Sequence, residues 1–257
     1  MEAVWLKQSG ADELLLFFNG WGMDRRSAEY LYHIVIRDGW RGDCLSFFNY
    51  KDFAIEPSLI DAISNYKRCN LLAWSFGVWA ARHVALPPIE CAIALNGTIF
   101  PLDAERGIAP ELVAATCNGW SESNRQRFER RMCYSRQLHE QFADITSQRT
   151  VADQQAELAT LQPLMLVSQA AALIPSPKSS PLPQASSQLS RSASAAIAPL
   201  STWHYQHAII GGRDLIFPPQ AQQTAWQGTP TTFIADMPHL PFFHLPALTE
   251  LLAWHNV

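Results

Sequence analysis

The sequence is poor in charge: Asp, Glu, Lys and Arg make up only 16% of its 257 residues, below the roughly one quarter of an ordinary globular chain. Acidic residues outnumber basic ones, giving a formal charge of −4 and a pI near 6.0. With no basic surplus to neutralise phosphates, a nucleic-acid partner held by bulk charge is excluded. Also missing is any apolar run near the 18 or so residues of a membrane span. The longest, Leu164 to Ile174, is interrupted by Ser168 and Gln169, so no membrane association is expected. Residues Met1 to Gly10 lack a basic stretch followed by an apolar one, so no secretory leader is expected. There is no CxxC pair. Cys44, Cys69, Cys91, Cys117 and Cys133 are odd in number and widely spaced, which excludes zinc ribbons and thioredoxin-like redox motifs. Reduced thiols in a cytoplasmic protein fit best. No internal repeat is present.

What the chain does have is apolar content, 48% of its residues, enough for a large core. Six short runs read as buried strands: Leu14–Phe18, Cys44–Phe48, Asn70–Trp74, Ile89–Leu95, His204–Ile210 and Thr231–Ala235. Continuous rather than alternating apolar character suits strands covered on both faces. Between them, Arg25–Arg37, Pro57–Tyr66, Phe76–Leu86 and Pro218–Trp226 carry apolar residues near a 3.6 period. Strands alternating with helices predict an α/β fold with a doubly wound, mostly parallel sheet. The middle differs. From Pro101 to Leu173 the pattern is helical, and Ser121–Phe142 reads as one helix. Pro175–Ser201 is rich in Ser, Pro and Ala, with only Lys178 and Arg191 charged. Such a composition cannot offset its ordering entropy, and a flexible segment is expected. The expected organisation is a core of residues 1–100 and 202–257, interrupted by a helical cap over 101–174 and the flexible stretch 175–201.

The strongest local motif is Ala73-Trp74-Ser75-Phe76-Gly77, placed between a strand and a helix. This is the context of a nucleophile elbow, with Ala for the first Gly. The tight turn needs small residues, lifts the serine hydroxyl above the sheet edge and aims the Phe76 amide where an oxyanion would form. A small-x-Ser-x-Gly run alone arises often by chance, and a lone serine is a poor nucleophile without a base and an orienting acid. Asp214 follows the fifth strand run in Gly211-Gly212-Arg213-Asp214, where a loop or helix-capping Asp is an equal alternative. His239 follows the sixth in Met237-Pro238-His239-Leu240-Pro241; by itself it reads more readily as a surface or hydrogen-bonded loop histidine, with His244 and His255 as competitors further along. His204 and His207 form a weak metal pair inside a strand run and are discounted. Jointly, Ser75, Asp214 and His239 stand in the order Ser–Asp–His, each after a different strand. The loop Asn19-Gly20-Trp21-Gly22 could present the Trp21 amide as a second oxyanion donor, or be an ordinary glycine-rich turn. Trp21 and Trp74 flank the expected site and are candidates to line an acyl channel, whereas Trp79 reads as packing.

On these segments, together with Phe17-Phe18-Asn19-Gly20-Trp21-Gly22-Met23-Asp24, Leu95-Asn96-Gly97-Thr98-Ile99-Phe100-Pro101, Asp214-Leu215-Ile216-Phe217-Pro218 and Pro238-His239-Leu240-Pro241-Phe242, the chain resembles the BioG-type pimeloyl-[acyl-carrier-protein] methyl ester esterases. The matches cover residues 1–102 and 203–257. The resemblance implies an α/β-hydrolase-like fold and removal, in biotin synthesis, of the methyl group masking the far carboxylate of a carrier-bound pimeloyl chain. It implies Ser75 as nucleophile, His239 as base, Asp214 as its orienter, and the Trp21 and Phe76 amides as oxyanion donors. The partner would be an acyl carrier protein whose pantetheine arm belongs to the substrate; no metal or organic cofactor is called for, and a monomer is expected. One departure is Asn19, where related hydrolases often have His.

The expected helix Ser121–Phe142 holds Arg125, Arg127, Arg130, Arg131 and Arg136. Arg125 can pair with Glu129 and Arg136 with Glu140. Arg127, Arg130 and Arg131 are less easily paired and share one face. Such a run is commonly a solvated surface, yet it would also steer an acidic carrier to the cap. Rival expectations are a general esterase or thioesterase on the same scaffold and a non-catalytic acyl-binding module. A dehalogenase is disfavoured because Ser75 stands where it would need an acid.

Overall fold

The computed structural model describes residues 1–172 and 201–253. Its centre is a seven-stranded sheet: β1 (Glu2–Lys7), β2 (Glu13–Phe18), β3 (Asp43–Phe48), β4 (Arg68–Trp74), β5 (Cys91–Leu95), β6 (His207–Arg213) and β7 (Thr231–Pro238), in the spatial order β1-β3-β2-β4-β5-β6-β7. All neighbours are parallel except β1, which runs antiparallel to β3. Both faces are covered, which explains the continuous apolar runs. In β2, Leu14, Leu16 and Phe18 enter one core and Leu15 and Phe17 the other, all fully buried. Helix α1 (Arg25–Arg37) covers the second face through Ala28, Leu31 and Val35. Helices α2 (Pro57–Ser64) and α3 (Phe76–Ala80) cover the first through Ile63, Val78 and Trp79.

Sequence and structure differ at the edges. β1 carries no clear apolar signal because it is an edge strand whose residues are half-buried or exposed. The fifth strand run begins at His207 rather than His204, and its upstream residues Trp203 and Tyr205 pack on each other's rings instead. The helix expected over Phe76–Leu86 is α-helical only to Ala80, followed by one 3₁₀ turn, Ala81–His83.

Among the described residues, four helices lie between β5 and β6: α4 (Pro110–Asn118), α5 (Glu122–Cys133), α6 (Arg136–Phe142) and α7 (Val151–Ala172). The single helix expected over Ser121–Phe142 is therefore two. Tyr134, with φ of 63°, closes α5, and Ser135 opens α6 by accepting the Leu138 amide at 3.2 Å. A serine in mid-run was a visible cap signal. The chain resumes with β6, α8 (Pro219–Ala225), β7 and α9 (Leu248–Ala253). The expected flexible segment, 175–201, lies outside the described residues except for Ser201. No helix among the described residues is long and apolar enough to cross a membrane. All five cysteines are free and buried. Burial pushes the Cys44 and Cys133 thiols up to about 12 and those of Cys69 and Cys91 to about 11, which keeps them protonated and unreactive.

Strand order reverses between β2 and β4: from β2 the chain moves to β3 on one side, then returns to β4 on the other. At such a switch point the loops leaving the two strands diverge and open a crevice at their carboxyl ends. Those loops carry Trp21 and Ser75.

One buried carboxylate organises the far end of the sheet. Asp43 opens β3 and accepts from the Ser9 amide and hydroxyl (2.8 and 2.7 Å), the Gly10 and Ala11 amides (2.9 and 3.1 Å) and the Tyr66 hydroxyl (2.9 Å). Burial pushes its acidity toward the neutral form, but these donors outweigh it and hold the carboxyl at about 2 instead of 3.8. A depressed carboxyl stabilises the fold above its unfolded value and loses that contribution as pH falls through its folded value, here from about 4 down to about 2. Asp43→Asn is expected to lower stability at pH 6 by about 2 kcal/mol. Urea unfolding at pH 6 and pH 3 checks this: the gap between wild type and variant should narrow at pH 3.

Candidate active site

Ser75 sits between β4 and α3 with φ of 58° and ψ of −128°, a backbone conformation that a side chain adopts only under constraint. Two neighbours impose it. The Ser75 amide is held by the Leu95 carbonyl at 2.9 Å. Gly77 lets α3 rest on β2, since a Cβ there would collide with the Phe18 and Asn19 carbonyl oxygens. The hydroxyl is thus lifted off the sheet, and Phe76 becomes the first residue of α3, whose amide has no intrahelical acceptor.

The structure brings the three sequence candidates together. His239 Nε2 lies 3.0 Å from Ser75 Oγ, and His239 Nδ1 lies 2.8 Å from Asp214 Oδ2. Ser75, Asp214 and His239 are 6%, 3% and 1% exposed, so water competes little for these bonds. Asp214 is not a simple loop acid. Its Oδ1 accepts the Ile216 and Phe217 amides, both at 2.8 Å, and its Oδ2 also accepts Gln222 Nε2 at 3.1 Å. A carboxylate facing only donors requires the imidazole proton on Nδ1, which leaves the Nε2 lone pair for the serine hydroxyl. The ring is packed between Phe217, stacked at 6.0 Å, and Trp74 at 5.6 Å.

Two residues hold the His239 loop. Trp74 Nε1 donates to the His239 carbonyl at 2.9 Å, and Asn96 Nδ2 donates to the carbonyls of Pro238 (2.7 Å) and His239 (3.0 Å). Asn96 Oδ1 accepts the Gly211 amide at 2.7 Å. One fully buried side chain therefore ties β5 to β6 and to the histidine loop. Asn96 was visible only as part of a motif, and Gln222 carried no sequence signal at all. The competitors fall elsewhere. His244 follows a turn closed on the Pro241 carbonyl, and His255 lies outside the described residues. His204 Nδ1 faces Arg82 at 3.4 Å and His207 Nε2 faces Thr232 at 2.9 Å.

The glycine-rich loop after β2 is a built turn. The Met23 amide bonds the Gly20 carbonyl at 3.3 Å, with Trp21 and Gly22 central and Gly22 at φ of 75°, as a type II turn requires. Since the Gly20 carbonyl points into the turn, the amide of the same trans peptide, that of Trp21, points out of it. A Cβ on Gly20 would stand 3.4 Å from Ser75 Cβ, so this peptide passes directly beside the serine. Asn19, where related hydrolases often have His, braces the loop: its Nδ2 donates to the Asp24 carbonyl at 3.0 Å and its Oδ1 accepts the Ser27 hydroxyl at 3.1 Å.

Ser75, Phe76, His239, Trp21 and Trp74 line a cavity of about 440 Å³. Its walls come from the helices between β5 and β6: Leu112 and Val113 of α4, Phe128 and Met132 of α5, Leu158 of α7, and Trp120 between α4 and α5. Trp21, Trp120 and Phe128 pack edge to face or tilted, with centroids 4.6–5.7 Å apart, and form an aromatic wall. Of the three arginines singled out, Arg127 and Arg131 are exposed and line the cavity, where their charge sets the character of its rim. Arg127 bonds Asn124 Oδ1 at 3.2 Å and Arg131 the Leu215 carbonyl at 2.7 Å. Arg130 is exposed but not part of the lining. Arg125 and Arg136 pair with Glu129 and Glu140, at 3.0 and 2.8 Å. Among the described residues, no cluster of three or more His, Cys, Asp or Glu forms a metal site.

Asn96→Leu would fill nearly the same volume but leave the Gly211 amide and the Pro238 carbonyl without Asn96 in the core, and the His239 carbonyl with Trp74 alone. A loss of about 2–4 kcal/mol is expected, at roughly 1–3 kcal/mol for each buried group left unsatisfied. Chemical denaturation of the variant checks it.

Comparisons with known proteins agree with this fold. A solved structure of BioG from Haemophilus influenzae aligns over 98% of this chain and 100% of its own, with a TM-score of 0.75 at 24% identity. A lipase-esterase related protein from Clostridium acetobutylicum aligns over 99% of this chain and 98% of its own, with a TM-score of 0.57 at 11% identity. Both carry the same α/β-hydrolase fold. A malonyl-[acyl-carrier protein] O-methyltransferase from Bacteroides fragilis is 34% identical over 219 residues. That match takes in 84% of this chain, which spans only 36% of the relative's length. The model of the family described as pimeloyl-ACP methyl esterase BioG matches residues 1–179. A chain with this sheet, this elbow and that match over most of its length belongs to the BioG family.

Proposed function

We propose that the chain is a cytoplasmic serine carboxylesterase that hydrolyses the methyl ester of pimeloyl-[acyl-carrier protein] to the free carrier-bound acid and methanol, in biotin synthesis. The observation that carries this reading is the hydrogen-bonded series Ser75–His239–Asp214 at the inner end of an aromatic cavity. The cavity is apolar where a pimeloyl chain would lie. Its rim is basic where the chain would emerge toward a pantetheine phosphate and an acidic carrier. The Bacteroides relative is named for O-methylation on malonyl-[acyl-carrier protein]; a methyl ester made by a reaction of that class is the bond this site would cleave.

In the reaction, Ser75 Oγ attacks the ester carbonyl carbon while His239 Nε2 takes the hydroxyl proton. Asp214 keeps the imidazole in the correct tautomer and stabilises its charged form. The Trp21 and Phe76 amides receive the carbonyl oxygen as it becomes an oxyanion. Collapse breaks the bond to the methoxy oxygen, which leaves as methanol with the proton from His239. Water then gives its proton to His239 and adds to the acyl-serine. The second tetrahedral species expels Ser75 Oγ, which is reprotonated, and the carboxylate is released. The helices α4 to α7 serve as the cap that selects the chain.

Purified protein and carrier-bound methyl pimelate test this directly, with methanol release and the mass of the acyl carrier as readouts. Ser75→Ala should abolish both, and should fail to rescue a biotin-requiring strain lacking its own esterase. Asp214→Asn should lower kcat by about 10³–10⁴, through loss of the productive tautomer. Failure of Ser75 to react with a fluorophosphonate in the folded protein would favour an acyl-binding module. Equal rates on short free esters would favour a general esterase. Reversing charge at Arg127, Arg130 and Arg131 together should raise KM for the carrier substrate and flatten its salt dependence, with little change on small esters. An unchanged KM would leave this face as solvated surface.

A further inference from the structure

The turn that presents the Trp21 amide is held from outside the core. Five hydrogen bonds reach it, or the residues just after it, from the segment that enters α7 and from that helix's first two turns. Trp21 Nε1 donates to the Gln154 carbonyl at 2.9 Å, and Gln154 Nε2 donates to the Gly22 carbonyl at 2.8 Å. The Gly22 amide donates to Glu157 Oε2 at 3.2 Å. Arg149 Nη1 donates to the Met23 carbonyl at 3.3 Å, and the Gln148 amide to Asp24 Oδ2 at 2.7 Å. Gln154 is 2% exposed and Glu157 fully buried. Glu157 also takes the Tyr50 amide at 2.7 Å and Arg149 Nη1 at 2.6 Å.

These contacts grip both sides of the Gly22 residue, its amide and its carbonyl. Within the turn, fixing Gly22 fixes the Gly20–Trp21 peptide, because the Met23-to-Gly20 bond closes only when Gly22 stays at positive φ. The first cap-side partner also fixes the Trp21 indole against Trp120, whose own Nε1 donates to Gln154 Oε1 at 3.3 Å. Gln154 therefore meets both the turn and the aromatic wall of the cavity.

We propose that Gln154 and Glu157 are positioning residues of the oxyanion site: helix α7 sets the direction of the Trp21 amide, so the inserted helices govern reaction rate as well as substrate fit. This rests on the esterase reading above. Neither residue touches the reacting atoms; each acts through the Gly20–Met23 turn. An oxyanion donor removed outright costs about 10²–10³ in rate, and one left in place but free to turn costs less.

The test uses Gln154→Met, which keeps the volume and removes the side-chain donor and acceptor, and Trp21→Phe, which removes the indole donor together with part of the ring that lines the cavity. Each is assayed on p-nitrophenyl acetate and on the carrier-bound methyl ester, with binding of a boronic acid as a tetrahedral mimic. Gln154→Met is expected to lower kcat about 10- to 100-fold on both substrates, leave KM within about twofold, and weaken the boronic acid by the same factor as kcat/KM. Trp21→Phe is expected to lower kcat and boronic acid affinity to a smaller degree, and Gln154→Glu, which keeps an oxygen for Trp120 but no donor for Gly22, should not restore the rate. A folded Gln154→Met protein with unchanged kcat and boronic acid affinity overturns the proposal, as does a change confined to KM. If Gln154→Met does not fold, Trp21→Phe decides by kcat on p-nitrophenyl acetate and by boronic acid affinity, and unchanged values of both overturn the proposal. Wild-type activity on p-nitrophenyl acetate without activity on the carrier substrate would refute the substrate assignment alone, and the positioning readouts would still stand.

Discussion

The turn at Ser75 is imposed from both sides of β4, by the ends of β2 and β5. Its positive φ is unfavourable for a residue with a Cβ, and the turn persists because the surrounding structure leaves no relaxed alternative. The Ser75 amide is fixed by β5, and the start of α3 lies on the carbonyls that end β2. Relaxing φ to an ordinary value would break the Leu95 bond and drive α3 away from the sheet. The strain is thus balanced by packing in the centre of the molecule, where Ala73, Trp74 and Val78 are fully buried. Everything proposed for the site follows from this placement, since it exposes a hydroxyl above a sheet whose own residues are inaccessible.

Placing an imidazole against that hydroxyl is a separate problem. The chain must return over β6 and β7 and hold a loop with few backbone bonds of its own. Asn96 and Trp74 solve it by reaching the His239 backbone rather than its ring, which leaves both ring nitrogens free for Asp214 and Ser75. Asp214 is fixed in the same way, by amides of its own turn and by Gln222. In the proposed reaction each of these groups would therefore be oriented by partners that take no part in proton transfer, the arrangement that preorganisation calls for.

The sequence made the sheet and the three polar candidates readable for one reason: they obey local rules. Buried parallel strands are continuous apolar runs, an elbow needs small residues at fixed offsets, and the order of Ser75, Asp214 and His239 follows the order of the strands. What was not readable depends on contacts between distant segments. β1 is a half-exposed edge whose pairing with β3 no local pattern announces. The break at Tyr134 interrupts a run whose composition favours a helix throughout, and only Ser135 marks it. The Gln154–Gly22 and Glu157–Gly22 bonds join positions more than 130 residues apart. Gln and Glu in the polar run Asp153-Gln154-Gln155-Ala156-Glu157 read as surface, and only the fold reveals Gln154 and Glu157 as buried.

The Arg149–Glu157 pair argues that this attachment has a purpose beyond stability. Burial is the largest influence on Glu157 and pushes its carboxyl up, against the pull of Arg149. Burial likewise opposes charge on Arg149, but Glu157 and Asp153 beside it more than offset that and raise it. A buried ion pair gains little over well-packed apolar residues of the same volume, because desolvation consumes most of the attraction. If holding α7 to the core were all that mattered, leucines would serve as well as this pair. Leucines could not accept the Gly22 and Tyr50 amides, however, and an apolar contact does not fix the rotation of a peptide. A directional acceptor at Glu157 does, and Arg149 is what allows a carboxylate to stand there. The cost of desolvating the pair is thus tied to one geometric result, a turn beside Ser75 that cannot rotate without breaking its bonds to the inserted helices.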